Sequence, residues 1–436
     1  METDDFAQFA TELNFSALPS RLKEKTKLAV INLIAVGIGA NAYEETKNIV
    51  NACKTIQDGG LPVYGSGKSA GTIGSAWANS ALGHYLDFDD THLETIVHPS
   101  APVIPAALSL GQVFSSSGKD VLVASAIGME AAIRLAQAVG LDERYSDWHN
   151  TSLYGTSASA VTSSLIMHEG AEKVSASMLE GLTVATGFLS NRGTTSKSFQ
   201  VGRSAAEGII SAFAISNGIT VSKNILNTFS ASLSTNRDLS NLTKELGKKW
   251  VALDNFLKPY PCGVVLHPGI DAAIQLKERN VISDDIESIE VYVNPVVMVL
   301  TAILDPKSGL QSKFSITHAV AAAIVYGPLY PEHFSDEAVN DRKIAALRKK
   351  IKVHEKGEVN RGQTIIEVRL KGGRREASEI NRGPEVPSRE LNEADVKRKF
   401  HHLSDPVLGK EQSKIVWDYF DALENKTNLS EISELF

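Results

Sequence analysis

The sequence predicts a mainly α protein: helical to about residue 255, mixed α+β over roughly 256–392, and helical again at the end. Three observations carry this reading. Apolar residues recur at helical spacing through the first half, the texture breaks at a proline-rich turn, and period-two alternation appears only after that break.

The helices come first. In "LPSRLKEKTKLAVINLIAVGIG", Leu22, Leu28, Ile31, Leu33 and Ile34 share a broad apolar face, with Gly37 and Gly39 near its end. "GKDVLVASAIGMEAAIRLAQAVG" is bracketed by glycines and reads as a buried helix. "SASAVTSSLIMHEG", "KVSASMLEGLTVATGFLS" and "RSAAEGIISAFAISNG" follow, each closed by Gly, Asn or Ser. Their Ala, Ser and Gly content predicts close helix–helix approach rather than a bulky aliphatic core. "LKPYPCGVVLHPG" then interrupts with Pro259, Pro261 and Pro268, a turn-rich connection. Beyond it Ile289, Val291 and Val293 alternate as in a strand. "SITHAVAAAIVYG" reads as a helix, and "GQTIIEVRLKGGRREASEI" as a hairpin turning at Gly372-Gly373. "NEADVKRKF" returns to helix and is expected to pack back on the first part.

Composition narrows the function classes. The chain has 436 residues, 43% of them hydrophobic, enough for a sizeable core in two or three domains. A net charge of −7 gives no basis for nucleic-acid or membrane-surface binding. Two cysteines, Cys53 and Cys262, build neither a disulfide framework nor a cysteine metal site. The acidic start "METDDFAQFATEL" is unlike a secretory or transit leader, and no apolar run reaches the roughly 18 residues of a membrane span. A cytoplasmic protein is expected.

One stretch stands out. "GHYLDFDDTHLETIVHPSAP", residues 83–102, holds four acids and three histidines with no lysine or arginine. If residues 84–91 are helical, His84, Asp87 and Thr91 fall on one face. Asp87 has apolar flanks, and a buried carboxylate needs a partner. His98 precedes a helix entry with Ser100 as its N-cap, and the positive end of that dipole would lower its pKa and leave it neutral, able to accept a proton. A metal site is one alternative, since Asp87, Asp89, His92 and His98 are legitimate ligand types, but their spacing matches no common site. A terpene-cyclase reading of "DDTHLE" lacks a second metal motif and an aromatic cavity. Three further spots add His149 in "SDWHNTSLYGT", Lys197 in a Gly/Ser/Thr loop before a helix starting near Ser204, and Lys258 beside the KPYP turn. Two histidines, a carboxylate and two lysines suit a small di- or tricarboxylate: cations hold carboxylates and histidines move protons.

"LDFDDTHLETIVHPSAPVIPAAL", "WHNTSLYGT", "SKSFQVGRSAAEG", "KPYPCGVVLHPGIDAA" and "NEADVKRKF" together resemble the MmgE/PrpD family, which includes 2-methylcitrate dehydratase, cis-aconitate decarboxylase and iminodisuccinate epimerase. The blocks run in the family's order over nearly the whole chain. The resemblance implies a large helical domain, residues 1–255 plus 393–436, with a smaller α+β lid domain, 256–392, inserted between its parts. It also implies a homodimer with no metal or organic cofactor. Carried over by motif, it implies catalytic roles for Asp87, His98 and His149, and substrate binding by Thr91, Lys197 and Lys258. His98 and His149 are then expected to transfer protons, with Asp87 orienting or charging one of them. Asp89, Asp90, His92 and Glu94 are expected to be supporting residues. Asn150, Phe199-Gln200 and His318 depart from the family pattern and are expected to border the pocket.

The activity implied is bond-making or bond-breaking next to a carboxylate. Dehydration of a 2-methylcitrate-type hydroxy acid is the leading expectation, with decarboxylation of a cis-aconitate-type acid next and epimerisation of a small dicarboxylate after it. A non-catalytic carboxylate-binding protein is the remote alternative, disfavoured because all six positions keep the expected residue type.

Overall fold

The computed structural model describes residues 1–141, 147–383, 386 and 389–436. Its first half is a packed set of helices, and its described apolar side chains form two separate cores. At the centre of the first core lies the helix Asn150–Ile166, buried along almost its whole length between Gly118–Val139, Ala171–Thr183 and Thr195–Ser216. The expected close approach is present. A Cβ added at Gly181 would sit 2.6 Å from the Ser157 Cα, and one at Gly208 only 2.4 Å from the Ser159 Cβ. Helices this close tolerate no larger side chain at the crossing.

The five apolar residues of the helix Ser20–Ala40 are all buried, as their spacing predicts. Glu393–Leu408 lies along that helix and places Val396, Phe400 and Leu403 in the first core. An Asn392–Asp395 capping box starts it, each side chain satisfying the other's backbone N–H.

The second core surrounds a four-stranded sheet in the order 351–355, 286–293, 363–370, 375–381. The first pair is parallel and the other two are antiparallel. Ile289, Val291 and Val293 pack inward, against the helices His267–Glu278 and Ile316–Tyr326. The expected hairpin turn is present, with Gly372 at φ 81° and Gly373 at φ 87°, values open to glycine at no steric cost.

Gly118–Val139 is the one helix among the described residues long and apolar enough by itself to span a bilayer, and 89% of its apolar window is buried inside the protein. It carries a buried ion pair, Arg134 Nε to Glu130 at 2.6 Å, which also accepts from the backbone of Val251 and Ala252. That pair fixes the approach to Asn255, where the two parts of the chain are stitched. Residues 90–92 and 255–257 form an antiparallel ribbon pairing Asp90 with Leu257, Thr91 with Phe256 and His92 with Asn255. The acidic stretch and the KPYP turn, more than 160 residues apart in sequence, thereby become neighbours.

Candidate active site

The helix Thr72–Tyr85 ends two residues before Asp87, so residues 84–91 are not one helical face as the sequence suggested. Asp87 adopts a left-handed turn at φ 53°, a conformation that Asp and Asn enter more readily than other side chains. The chain reverses there and then enters the ribbon. A second left-handed residue, Ile96 at φ 50°, closes the loop before His98. In a β-branched residue this costs about 1–3 kcal/mol, and it is held by His92 N to Val97 O at 2.9 Å and by Asn150 Nδ2 to Thr95 O at 2.8 Å.

These turns bring the polar residues together. Asp87 Oδ1 accepts from Lys197 Nζ at 3.0 Å and forms an ion pair with Lys258 Nζ at 3.2 Å, while its Oδ2 is buried with no hydrogen-bond partner among the described residues. Burial alone would raise its pKa, but the two ammonium groups hold it well below the usual carboxylate range. Asp87 bonds neither His98 nor His149, so the expected orienting role falls elsewhere. Asp89 has it: one oxygen takes His84 Nδ1 at 2.6 Å and the other takes His98 Nδ1 at 3.2 Å. Sequence reading placed Asp89 among supporting residues and assigned His84 no role in the site.

Thr91 donates to the Asp90 carbonyl at 2.8 Å and lies 3.1 Å from His98 Nδ1. Its oxygen therefore shares the His98 proton with Asp89, and Thr91 stands behind the imidazole rather than facing the cavity. With Nδ1–H committed to these acceptors, His98 Nε2 is the lone-pair nitrogen. His98 is pushed down to about 4, by burial first and then by Lys258, against the opposing pull of Asp89. The expected direction holds, but burial rather than the helix dipole leads. Pro99, not Ser100, is the N-cap, and Ser100 N and Oγ instead bond Asp90. That carboxyl is pushed up to about 6 by burial and by Asp89.

His149 is the N-cap of the central helix, anchored by its N–H to Gly187 O at 3.0 Å, with Nδ1 3.1 Å from Ser152 Oγ. Burial, then Lys197 and His84, hold it well below its ordinary value. Lys197 belongs to the first turn of the helix Thr195–Ser216, which starts earlier than the sequence suggested. It donates to Asp87 and lies 2.8 Å from His84 Nε2, and burial lowers its pKa despite Asp87. Lys258 also donates to the carbonyls of Asp87 and Cys262, both at 3.2 Å.

Asp87, His98, His149, Lys197 and Lys258 share one cavity of about 50 Å³. Arg192 is a further cation in its lining, and Ile96, Leu189, Val264, Val265, Leu300 and Phe314 form its apolar side. A smaller space beyond Phe314 adds Lys313, whose ammonium bonds the carbonyls of Leu86 and Pro261. Lys313 is pushed down to about 8 by burial. Lys313 and Arg192 were not foreseen; nothing in "QSKFSIT" or "SNRGTT" marks them. Asn150, Phe199, Gln200 and His318 lie outside the cavity lining, contrary to expectation. Gln200 braces the loop at Phe188 and Asn191, and His318 Nε2 bonds His333 O at 2.8 Å in the second core.

Ligand atoms of His84, Asp87, Asp89 and His98 all lie within 4.8 Å of one another, a donor set of metal-binding type. Their lone pairs are largely committed: both Nδ1 atoms face Asp89, and Lys197 occupies His84 Nε2 and Asp87 Oδ1. The ammonium stands where a cation would. Among the described residues, Asp87 and Asp89 face Lys197, Lys258, Lys313 and Arg192, the last also under the pull of Asp147, so cations outnumber carboxylates by one.

The MmgE/PrpD N-terminal domain model matches residues 4–239, and the C-terminal domain model matches residues 260–425. The chain is similar to the cis-aconitate decarboxylase of Aspergillus terreus, 22% identical over 99% of this chain and 95% of that protein. It is also similar to that of Mus musculus, 23% identical over 99% and 93%, and that of Homo sapiens, 22% identical over 80% and 76%.

Proposed function

The chain belongs to the MmgE/PrpD family, and on that premise we propose that it is a lyase acting on a small di- or tricarboxylate by acid–base chemistry next to a carboxylate. The observation that carries this is the excess of positive charge around neutral imidazoles at the cavity and the smaller space beside it. Fixed cations bind the substrate carboxylates and stabilise the carbanion-like charge that develops, at no reorganisation cost. His98 Nε2 and His149 are the proton-transfer groups, and Asp89 holds His98 in the right tautomer, as the carboxylate does in a Ser-His-Asp triad.

Decarboxylation of a cis-aconitate-type acid is the finer reading. The C–C bond to the leaving carboxylate breaks and its electron pair becomes a new C=C bond. The old C=C pair takes one proton at the carbon next to a remaining carboxylate, and CO₂ leaves. The apolar side at Leu189, Val264, Val265, Leu300 and Phe314 supports this, because a carboxylate placed there loses solvation that the departing CO₂ does not need. The names of the relatives point the same way. Dehydration of a 2-methylcitrate-type acid is the second reading, favoured by the pairing of two histidines in one cavity, since elimination needs both a base and an acid. A cavity of about 50 Å³ is smaller than the roughly 300 Å³ of typical ligand sites, so the apolar side must move aside to admit either substrate.

Incubation in D₂O with cis-aconitate, 2-methylcitrate and citrate, followed by proton NMR, tests the proposal. Decarboxylation gives itaconate carrying one solvent deuterium, and dehydration gives a new alkene from the hydroxy acids. No change with any of the three would overturn the lyase reading.

A further inference from the structure

Behind the candidate active site lies a second cavity of about 260 Å³, between the helix Glu393–Leu408 and the turn that follows Lys258. Phe88, Pro259, Tyr330, Arg389, Arg398 and Lys399 are among its lining. Lys399 is only 6% exposed; it forms no salt bridge among the described residues, and Asp89 and Asp90 act on it only from a distance. Its ammonium donates to the carbonyls of Phe88 at 2.6 Å and Lys258 at 2.8 Å, and sits 3.5 Å from the centre of the Phe88 ring. An ammonium has three N–H donors, so one is left over. Burial pushes the Lys399 pKa well below its ordinary value, against the opposing pull of Asp89 and Asp90.

The mouth of the cavity is also cationic. Arg389 and Arg398 both pair with the single carboxylate of Asp395. Among the described residues, three cations, Arg389, Arg398 and Lys399, and the carboxylate of Asp395 line a space large enough for a small ligand. Nearby His402 is 3.4 Å from Glu332, whose carboxylate raises its pKa. Guanidinium groups offer paired N–H donors that match the oxygens of phosphate or carboxylate.

We propose that this cleft binds a small dianion through phosphate or carboxylate oxygens, with Lys399 at its floor and Arg389 and Arg398 at its mouth. The occupant takes the remaining Lys399 donor and faces the two guanidinium groups. Because the cleft is bounded by the helix Glu393–Leu408 on one side and by Pro259 and Tyr330 on the other, a bound anion ties these segments together. The site is separate from the front cavity, with the Asp87–Phe88 and Lys258–Pro259 backbone between the two.

Calorimetric titration of the full-length protein with inorganic phosphate and with malonate, against chloride at equal ionic strength, tests this. At least one anion is expected to bind with a Kd on the order of millimolar. Arg398→Gln and Arg389→Gln are each expected to weaken that binding by about fivefold or more, since each removes one charge-assisted contact. Lys197→Met, in the front cavity, is expected to leave it within about twofold. The preferred anion identifies the ligand class. Lys399→Met should abolish binding, and the two arginines, whose side chains are 52% and 71% exposed, keep the test decisive if that variant does not fold. The proposal is overturned if neither anion binds at about 50 mM, or if Lys197→Met removes binding while Arg398→Gln leaves it intact.

Discussion

The two walls of the front cavity are built from opposite materials. One wall comes from the helical first half and is polar: His98, His149, Lys197 and Asp87, backed by Asp89, His84 and Thr91. The other comes mainly from beyond Lys258 and is apolar: Val264, Val265, Leu300 and Phe314. The polar wall is anchored through the largest core and a web of charge-assisted bonds, which hold reacting groups in place. The apolar wall offers shape and dryness with few directional contacts. Reactivity should therefore reside in the first wall and substrate range in the second.

Breaking the polar wall should cost most. Asp89→Asn removes the acceptor that both His84 and His98 use, and kcat/KM should fall by about 10³–10⁴-fold, the scale seen when a triad carboxylate is neutralised. Steady-state kinetics with a thermal melt separates this from misfolding. Lys197→Met leaves Asp87 buried with Lys258 as its one directly paired cation among the described residues. It should raise KM strongly and lower stability by about 3 kcal/mol in urea unfolding, the cost of breaking a buried pair.

The pH profile is a finer test. His98 in the free protein titrates near 4, so the acid limb of kcat/KM should lie near pH 4 and not near 6.5. The folded form binds fewer protons than the unfolded chain between pH 4 and 6.5. The stability His98 contributes is thus present above 6.5 and lost as pH falls through that window. A bound polyanion favours the imidazolium, so the limb of kcat should lie higher than that of kcat/KM.

Altering the apolar wall should do least to chemistry. Val265→Ala should change kcat by less than about threefold and cost about 1–2 kcal/mol of stability, while widening the range of acids accepted. If it cut kcat as deeply as Asp89→Asn, the division between the walls would be wrong.

This division also marks what the sequence could reveal. Helices and strands with clear periodicity, such as Ser20–Ala40 and Ile286–Val293, follow from local pattern. Five of the six motif-derived positions, Asp87, His98, His149, Lys197 and Lys258, meet at one cavity, and Thr91 stands directly behind His98. The role of Asp89 was hidden because it depends on two local reversals. The helix stops at Tyr85 and Asp87 turns left-handed, which points Asp89 at His84 and His98. Lys313 and Arg192 sit in unremarkable local sequence, and Lys399 lies in a block that reads only as a helix start. Their importance comes from contacts with segments far away in the chain, which no periodicity encodes.

The most direct test of the central claim is deuterium incorporation from D₂O during single-turnover reaction of the preferred acid, comparing the wild-type protein with His98→Gln and His149→Gln. Wild type should place one solvent deuterium in the product. Each variant should keep its fold and binding yet incorporate deuterium about 10²–10⁴-fold more slowly. Near-normal rates in both variants would contradict the account.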